Sequence, residues 1–281
     1  MQIVFLILLF IFGACLGSFL CCEARRLHLR EGKTRPSAKK PQLGKRSICL
    51  HCGHQLKWYE NLPILSWLIL KGKCHQCGEK IGLTELLSEL GVGLAFLFIG
   101  FNMQFSGITI STFSSQPPLM WASFASILAF ILILSFLAIC DGLYGQLPTI
   151  FLTISIICAI IIVILREWAT LSVLPNFLTS LGQDLLDLLF AVLILGGVYL
   201  VLYLVSKGKW VGDGDWLLGT AIGLVLGTPW FAIIVLFLSN FLACLVMFPI
   251  VKKTHHTKIY FGPFMVVAFV IVYSFSSLLM L

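Results

Sequence analysis

Charge is what this chain has least of. Only 11% of its 281 residues are charged and 59% are apolar, whereas a soluble domain carries about 25% charged residues. That excludes a soluble globular protein and leaves an integral membrane protein. The cations also avoid most of the sequence, since 13 of the 19 Lys and Arg fall within 23–83. None precedes the first apolar run, which opens "MQIV", so the basic n-region of a secretory signal is missing. Phe12 is a poor match three residues before Cys15 for a lipoprotein signal, and an uncleaved anchor is the expectation. Two further absences bear on chemistry. No glycine-rich nucleotide fingerprint follows the pattern of a Rossmann unit, and no Ser–His or Cys–His pair is placed for nucleophilic catalysis.

What is there is apolar runs. A spanning helix needs roughly 20 mostly apolar residues, and about 2–22, 86–102, 119–140, 149–165, 185–205, 230–250 and 260–281 qualify. An eighth run, 216–227, has 12 residues and ends at Gly227-Thr228-Pro229; it reads as a short transmembrane helix. The cations outside 23–83 are Lys207 and Lys209, then Lys252, Lys253 and Lys258, with Arg166 alone elsewhere. Eight spans put the three basic loops on one side, which the positive-inside rule makes cytoplasmic. Both termini then lie on the other side. The net charge of +7 reflects this topology rather than a nucleic-acid partner.

Six of the ten cysteines (Cys15, Cys21, Cys22, Cys140, Cys158 and Cys244) lie in or beside apolar runs and read as small buried hydrophobes. The other four form "CLHC" at 49–52 and "CHQC" at 74–77, with 21 residues between the pairs. That is close to zinc-ribbon spacing. Cys49, Cys52, Cys74 and Cys77 would close a tetrahedral shell with no open position, which makes the zinc structural. A reducing cytoplasmic loop suits metal better than disulfides; free or redox-active thiols are the alternative. With four sulfurs sufficient, His51, His54 and His75 are not needed as ligands. The expected architecture is all-α and polytopic, with about eight transmembrane helices and a small cytoplasmic zinc-ribbon-like loop. Its expected segments are a first transmembrane helix at 1–22, the zinc-binding loop at 23–83 and a seven-helix membrane core at 84–281.

Acids at apolar boundaries need a reason, since a charge at a helix centre costs roughly 2.5–3.5 kcal/mol on insertion scales. "CDGLYGQLP" and "GDGDWLLG" each set Asp beside Gly at such a boundary, on the same predicted face. Ordinary loop-end acids are the bland alternative. The other is a dyad: of two facing carboxylates one keeps a proton near neutral pH. One then activates water while the other protonates or polarises a peptide carbonyl. Asp215 opens a helix, whose dipole favours its ionised form, and Asp141 closes one, so Asp215 is the expected base. Residues i and i+2 at a helix start point differently, so Asp213 is not expected to face Asp141. Glu89, in "LLSELGVGLAF", is a third candidate; the alternative there is an interfacial Glu with a local Lys.

Five blocks in order along nearly the whole chain resemble the type IV prepilin peptidase family. They are "GACLGSFL" at 13–20, "CLHCGHQLKWYENLPILSWLILKGKCHQCG" at 49–78, "DGLYGQLP" at 141–148, "GDGD" at 212–215 and "FGPF" at 261–264. The resemblance implies a membrane aspartic peptidase of the bacterial inner membrane, with Asp141 and Asp215 catalytic at the cytoplasmic face. Its substrates would be type IV prepilins or pseudopilins, cut after the glycine that ends a basic leader. Many such proteins also N-methylate the new terminus with S-adenosylmethionine, and Glu89 matches the family's Glu near that region. Departures are Leu217 in place of Lys, Cys21 in place of Asn, and Thr84-Glu85-Leu86 in place of Arg-Tyr-Pro. They leave the peptidase pair intact and methyl transfer open. The competing readings are a proton-coupled carrier with interfacial acids and a scaffold whose zinc docks a partner.

Overall fold

The structure, a computed structural model, describes residues 2–30, 47–49, 51–105, 118–171, 177–208, 211–254 and 260–279. Many of the cations behind the sidedness argument, those in 31–46 together with Lys209 and Lys258, lie outside the described residues. The chain divides into two compact units, Met1–Leu97 and Phe98–Leu281. Among the described residues there is no strand; the two isolated antiparallel bridges pair Ile48 with Gln55 and Lys73 with Lys80.

In the first unit, α1 (Gln2–Arg30) buries Gly13, Ala14, Gly17, Cys21 and Ala24. Their spacing of three and four residues puts them on one helix face. That face lies against α3 (Leu83–Phe105) at very short range. A Cβ on Gly13 would sit 2.8 Å from the Val92 carbonyl oxygen, and one on Gly17 would sit 2.6 Å from that of Ser88. Small residues four apart let two membrane helices approach backbone to backbone, which gives "GACLG" a packing role. Cys21 continues this stripe beside Ser88, where a small side chain fits. Between the two helices the chain forms a 3-10 turn at Trp58–Asn61 and a short α2 at Leu65–Ile69.

The second unit holds α4 (Pro118–Tyr144), α5 (Thr149–Leu171), α6 (Phe177–Val192), α7 (Val198–Ser206), α8 (Asp215–Leu226), α9 (Pro229–Thr254) and α10 (Gly262–Leu279). A π segment, Leu193–Gly197, joins α6 to α7 without a break. At 1.5 Å per residue, the 12 residues of α8 reach about 18 Å, well short of a bilayer core of about 30 Å. Its setting explains why that is tolerated: Asp215, Leu218, Gly219, Ala221, Ile222, Gly223, Val225 and Leu226 are all buried. Irregular or short segments survive at membrane depth where protein surrounds them. Gly219 and Gly223 supply the close fit, since a Cβ there would sit 2.7 Å from the Leu195 carbonyl oxygen and 2.9 Å from that of Ala191. Six described helices are long and apolar enough to cross a membrane, and Asp215–Leu226 and Gly262–Ser276 are two shorter apolar ones. These eight correspond to the eight expected runs.

Candidate active site and metal centre

Asp141 lies one turn before the end of α4, and Asp215 is the first residue of α8. Both are buried, at 6% and 7% exposure, whereas Asp213 is exposed. Asp141 and Asp215 lie within electrostatic reach of each other. Backbone amides hold each carboxylate: the Gly262 N–H donates to Asp141 Oδ2 at 2.8 Å, and the Gly212 N–H donates to Asp215 Oδ2 at 3.0 Å.

The glycines of the three motifs make this convergence possible. A Cβ on Gly262 would fall 2.8 Å from Asp141 Oδ2. Gly145, which caps α4 by donating its N–H to the Asp141 carbonyl at 2.7 Å, has φ of +62° and lies under the Tyr260 ring. A Cβ on Gly214 would sit 2.7 Å from the Leu147 side chain. Segment 141–148 is thus pressed on by 260–264 and by 212–215. These glycines let side chains of the neighbouring segments come close to the backbone.

Asp141 was expected to feel only the C-terminal end of its own helix. Its carboxylate instead meets the first amide of α10, so Asp141 and Asp215 each lie at a helix N-terminus. Position 217, where the resemblance leads one to expect Lys, carries Leu. Nothing in the structure explains the Leu at this position.

In the other unit, the two Cys-x-x-Cys pairs form matching knuckles. The Cys49 and Cys74 amides donate to the carbonyls of His54 and Glu79, each at 2.8 Å. Gly53 and Gly78, at φ of +72° and +70°, return their amides to Cys49 and Cys74 at 2.9 Å. The four sulfurs lie within 4.8 Å of one another, and Cys49 Sγ and Cys77 Sγ are 3.9 Å apart. A tetrahedral shell with Zn–S of about 2.3 Å requires S···S of roughly 3.8 Å, so the donor set fits zinc. The Cys77 backbone N–H pulls the Cys74 thiol down to about 7. Although the Glu79 amide pulls Cys77 down, desolvation and the neighbouring thiols outweigh it and push Cys77 up to about 12. Four thiolates repel one another in this volume, and a divalent cation is the kind of charge that would offset them. His51 and His75 are exposed, and His54 Nε2 reaches Glu60 Oε2 at 3.3 Å instead. The Lys57 amide, 2.7 Å from Glu60 Oε2, holds that carboxyl below the usual range, with His54 adding to the effect.

Glu89 is buried on α3, and its Oε2 accepts the Ile64 amide at 2.7 Å. Ile64 has φ of +63° and ψ of −50°, and the Leu65 N–H bonds to the Pro63 carbonyl at 2.6 Å. This is the positive-φ γ-turn, a strained conformation and an outlier for a β-branched residue. Glu89 therefore clamps a strained turn of the loop. It also lines a cavity of about 460 Å³ together with Arg25, Arg26, Trp67, Glu60 and Glu85. The Trp67 indole N–H is buried and has no hydrogen-bond partner among the described residues.

A family model described as the bacterial peptidase A24 N-terminal domain matches residues 11–103. A prepilin leader peptidase/N-methyltransferase of Vibrio cholerae is 30% identical over 239 residues, covering 84% of this chain and 83% of that protein. The chain belongs to the prepilin leader peptidase/N-methyltransferase family. A relative of the same name from Dickeya chrysanthemi is 26% identical over 283 residues, 94% of this chain and 90% of that protein. Another, from Myxococcus xanthus, reaches 44% but over 92 residues, 33% of this chain and 25% of that protein. No solved structure matches. Membership in a peptidase family decides between enzyme and carrier, and with the apolar helices it makes the chain a multi-pass bacterial membrane peptidase.

Within this family member, sequence reasoning missed Gly262 as a partner of Asp141 and Ile64 as the partner of Glu89. "FGPF" was the available signal for Gly262, though nothing in it names its partner. For Ile64 no signal exists, because a branched residue gives no warning of positive φ.

Proposed function

We propose that this chain is a membrane-embedded aspartic endopeptidase that removes the leader of type IV prepilins or pseudopilins at the cytoplasmic membrane face. The observation that carries the reading is the convergence of two buried acids, Asp141 and Asp215, each held by a backbone amide. Close carboxylates share a proton. In such a pair the ionised member takes a proton from water as that water attacks the scissile carbonyl. The protonated member gives its proton to the carbonyl oxygen. The first acid, now carrying the proton taken from water, then gives it to the leaving amine as the C–N bond breaks, and the second acid recovers its proton from the diol as the new carboxyl forms. Because the pair titrates jointly, neither acid is assigned permanently as base. Asp213, which is exposed, takes no part.

Cys49, Cys52, Cys74 and Cys77 would hold a structural zinc, which would order the loop and take no part in cleavage. Methylation of the new terminus belongs to the same proposal. The cavity lined by Glu89 lies in the range of 300–1,000 Å³ typical of small-molecule sites, and it joins Arg25 and Arg26 to Glu85 and Glu89. That mix suits the zwitterionic end of S-adenosylmethionine, which when bound supplies an electrophilic methyl group. Here Glu89 both lines the site and ties the loop across it.

The test is cleavage of a prepilin by the purified enzyme in detergent or lipid. Asp141→Asn and Asp215→Asn should each abolish cleavage, while Asp213→Asn keeps most of it. Full activity in Asp215→Asn with loss in Asp213→Asn would sink the assignment.

A further inference from the structure

Tyr199 is a buried phenol that the dyad chemistry does not use. At 3% exposure it lies two residues beyond the π segment, and such insertions cluster at functional sites. Its oxygen accepts from Asn240 Nδ2 at 3.2 Å and lies 3.5 Å from Ser239 Oγ, both on α9. The Ser239 hydroxyl proton is committed to the Leu236 carbonyl at 3.0 Å. Ser239 therefore accepts from Tyr199, and the phenol is gripped on both sides. Its ring packs on Phe261 with centroids 5.2 Å apart at 51°. Phe261 immediately precedes Gly262, whose amide holds Asp141, and the phenol is within electrostatic reach of Asp215.

We propose that Tyr199 is a positioning residue of the active site, with Ser239 and Asn240 fixing its ring so that Phe261 holds the Gly262 amide on Asp141. The inference rests on the reading of Asp141 and Asp215 as the catalytic pair. Each link is a contact: α9 hydroxyl and amide to phenol, phenol ring to Phe261, and the following amide to the carboxylate.

Tyr199→Phe keeps the ring and removes the grip. Prepilin cleavage should lose roughly 3- to 10-fold in kcat, the scale of one hydrogen bond, with KM unchanged. The distinguishing measurement is a double-mutant cycle. If Tyr199 acts through Gly262, then Tyr199→Phe combined with Gly262→Ala should be no slower than Gly262→Ala alone. Multiplying effects, a loss confined to KM, or wild-type kcat in Tyr199→Phe would each overturn the inference. Should Tyr199→Phe fail to accumulate in the membrane, Ser239→Ala with Asn240→Leu frees the same phenol from the α9 side and must give the same kcat loss. Asp141→Asn and Asp215→Asn run alongside. If they cleave normally the dyad reading fails, whereas if they are dead and Tyr199→Phe is normal only the Tyr199 inference fails.

Discussion

Replacing Gly262 by alanine is the sharpest perturbation of the site, because it adds one carbon at one known place. The new Cβ would stand 2.8 Å from Asp141 Oδ2 and 3.3 Å from its Cβ and Cγ. The first distance lies below any that real Cβ atoms tolerate, and the neighbour is an acid at the end of a buried helix rather than a flexible tip. Asp141 must therefore withdraw, and the 2.8 Å bond from the Gly262 amide is lost or stretched. Hydrogen bonds to charged groups contribute about 1.5–3 kcal/mol, and each 1.36 kcal/mol is tenfold in rate. Cleavage of a prepilin in lipid should accordingly lose roughly 10- to 150-fold in kcat/KM. Gly142→Ala is the matched control, adjacent to the same acid, with its Cβ 3.5 Å from Pro263 Cγ in ordinary contact. It should stay close to wild type. A Gly262→Ala enzyme within twofold of wild type, or a Gly142→Ala enzyme equally damaged, would refute the idea that this amide places Asp141.

Metal analysis of the purified protein should find about one zinc per chain, lost in Cys49→Ser combined with Cys74→Ser; four alkylatable thiols and no metal would remove the zinc claim. Glu60 has a lowered folded pKa, so its stabilisation of the loop is fully present above the ordinary carboxylate value of about 4.3 and is lost as pH falls through the folded value. Limited proteolysis near Trp58–Asn61 should therefore accelerate below about pH 4, and Glu60→Gln should show that acceleration at neutral pH, with equal rates at both pH values in wild type counting against it. Glu89→Gln keeps the side-chain length but weakens the bond to the Ile64 amide. We expect faster proteolysis at Pro63–Leu65 and reduced methyl transfer with cleavage retained, as followed by mass spectrometry of the processed pilin; unchanged proteolysis would show that Glu89 does not clamp the turn.

The parts of this protein that could be read from sequence are those whose determinants are local. Each thiol knuckle closes within six residues, from Cys49 to His54 and from Cys74 to Glu79, so cysteine spacing and the following glycine predict both shape and chemistry. The helices could be read for a similar reason, since burial in lipid writes itself into composition. Asp213 and Asp215 were separable because helix geometry at i and i+2 is fixed by the backbone. The π segment was not legible: "LILGG" fits an α-helix equally well, and the insertion is stabilised by Gly196 packing against Thr220, a contact made only in the folded unit.

The surroundings of Asp141 show the same division. Reading its environment from α4 alone treats the end of one helix as the whole electrostatic surrounding of the side chain. The deciding donor comes from Gly262, 121 residues away in the chain. An acid at a helix C-terminus is disfavoured only while the nearest dipole is its own, and a second helix arriving N-terminus first reverses that field. The glycines of "FGPF", "GDGD" and "DGLYGQLP" are what allow the arrival, because each removes a Cβ that would otherwise keep the next segment away. A motif glycine beside a buried acid is thus a statement about a third segment of chain, and its identity comes from the fold.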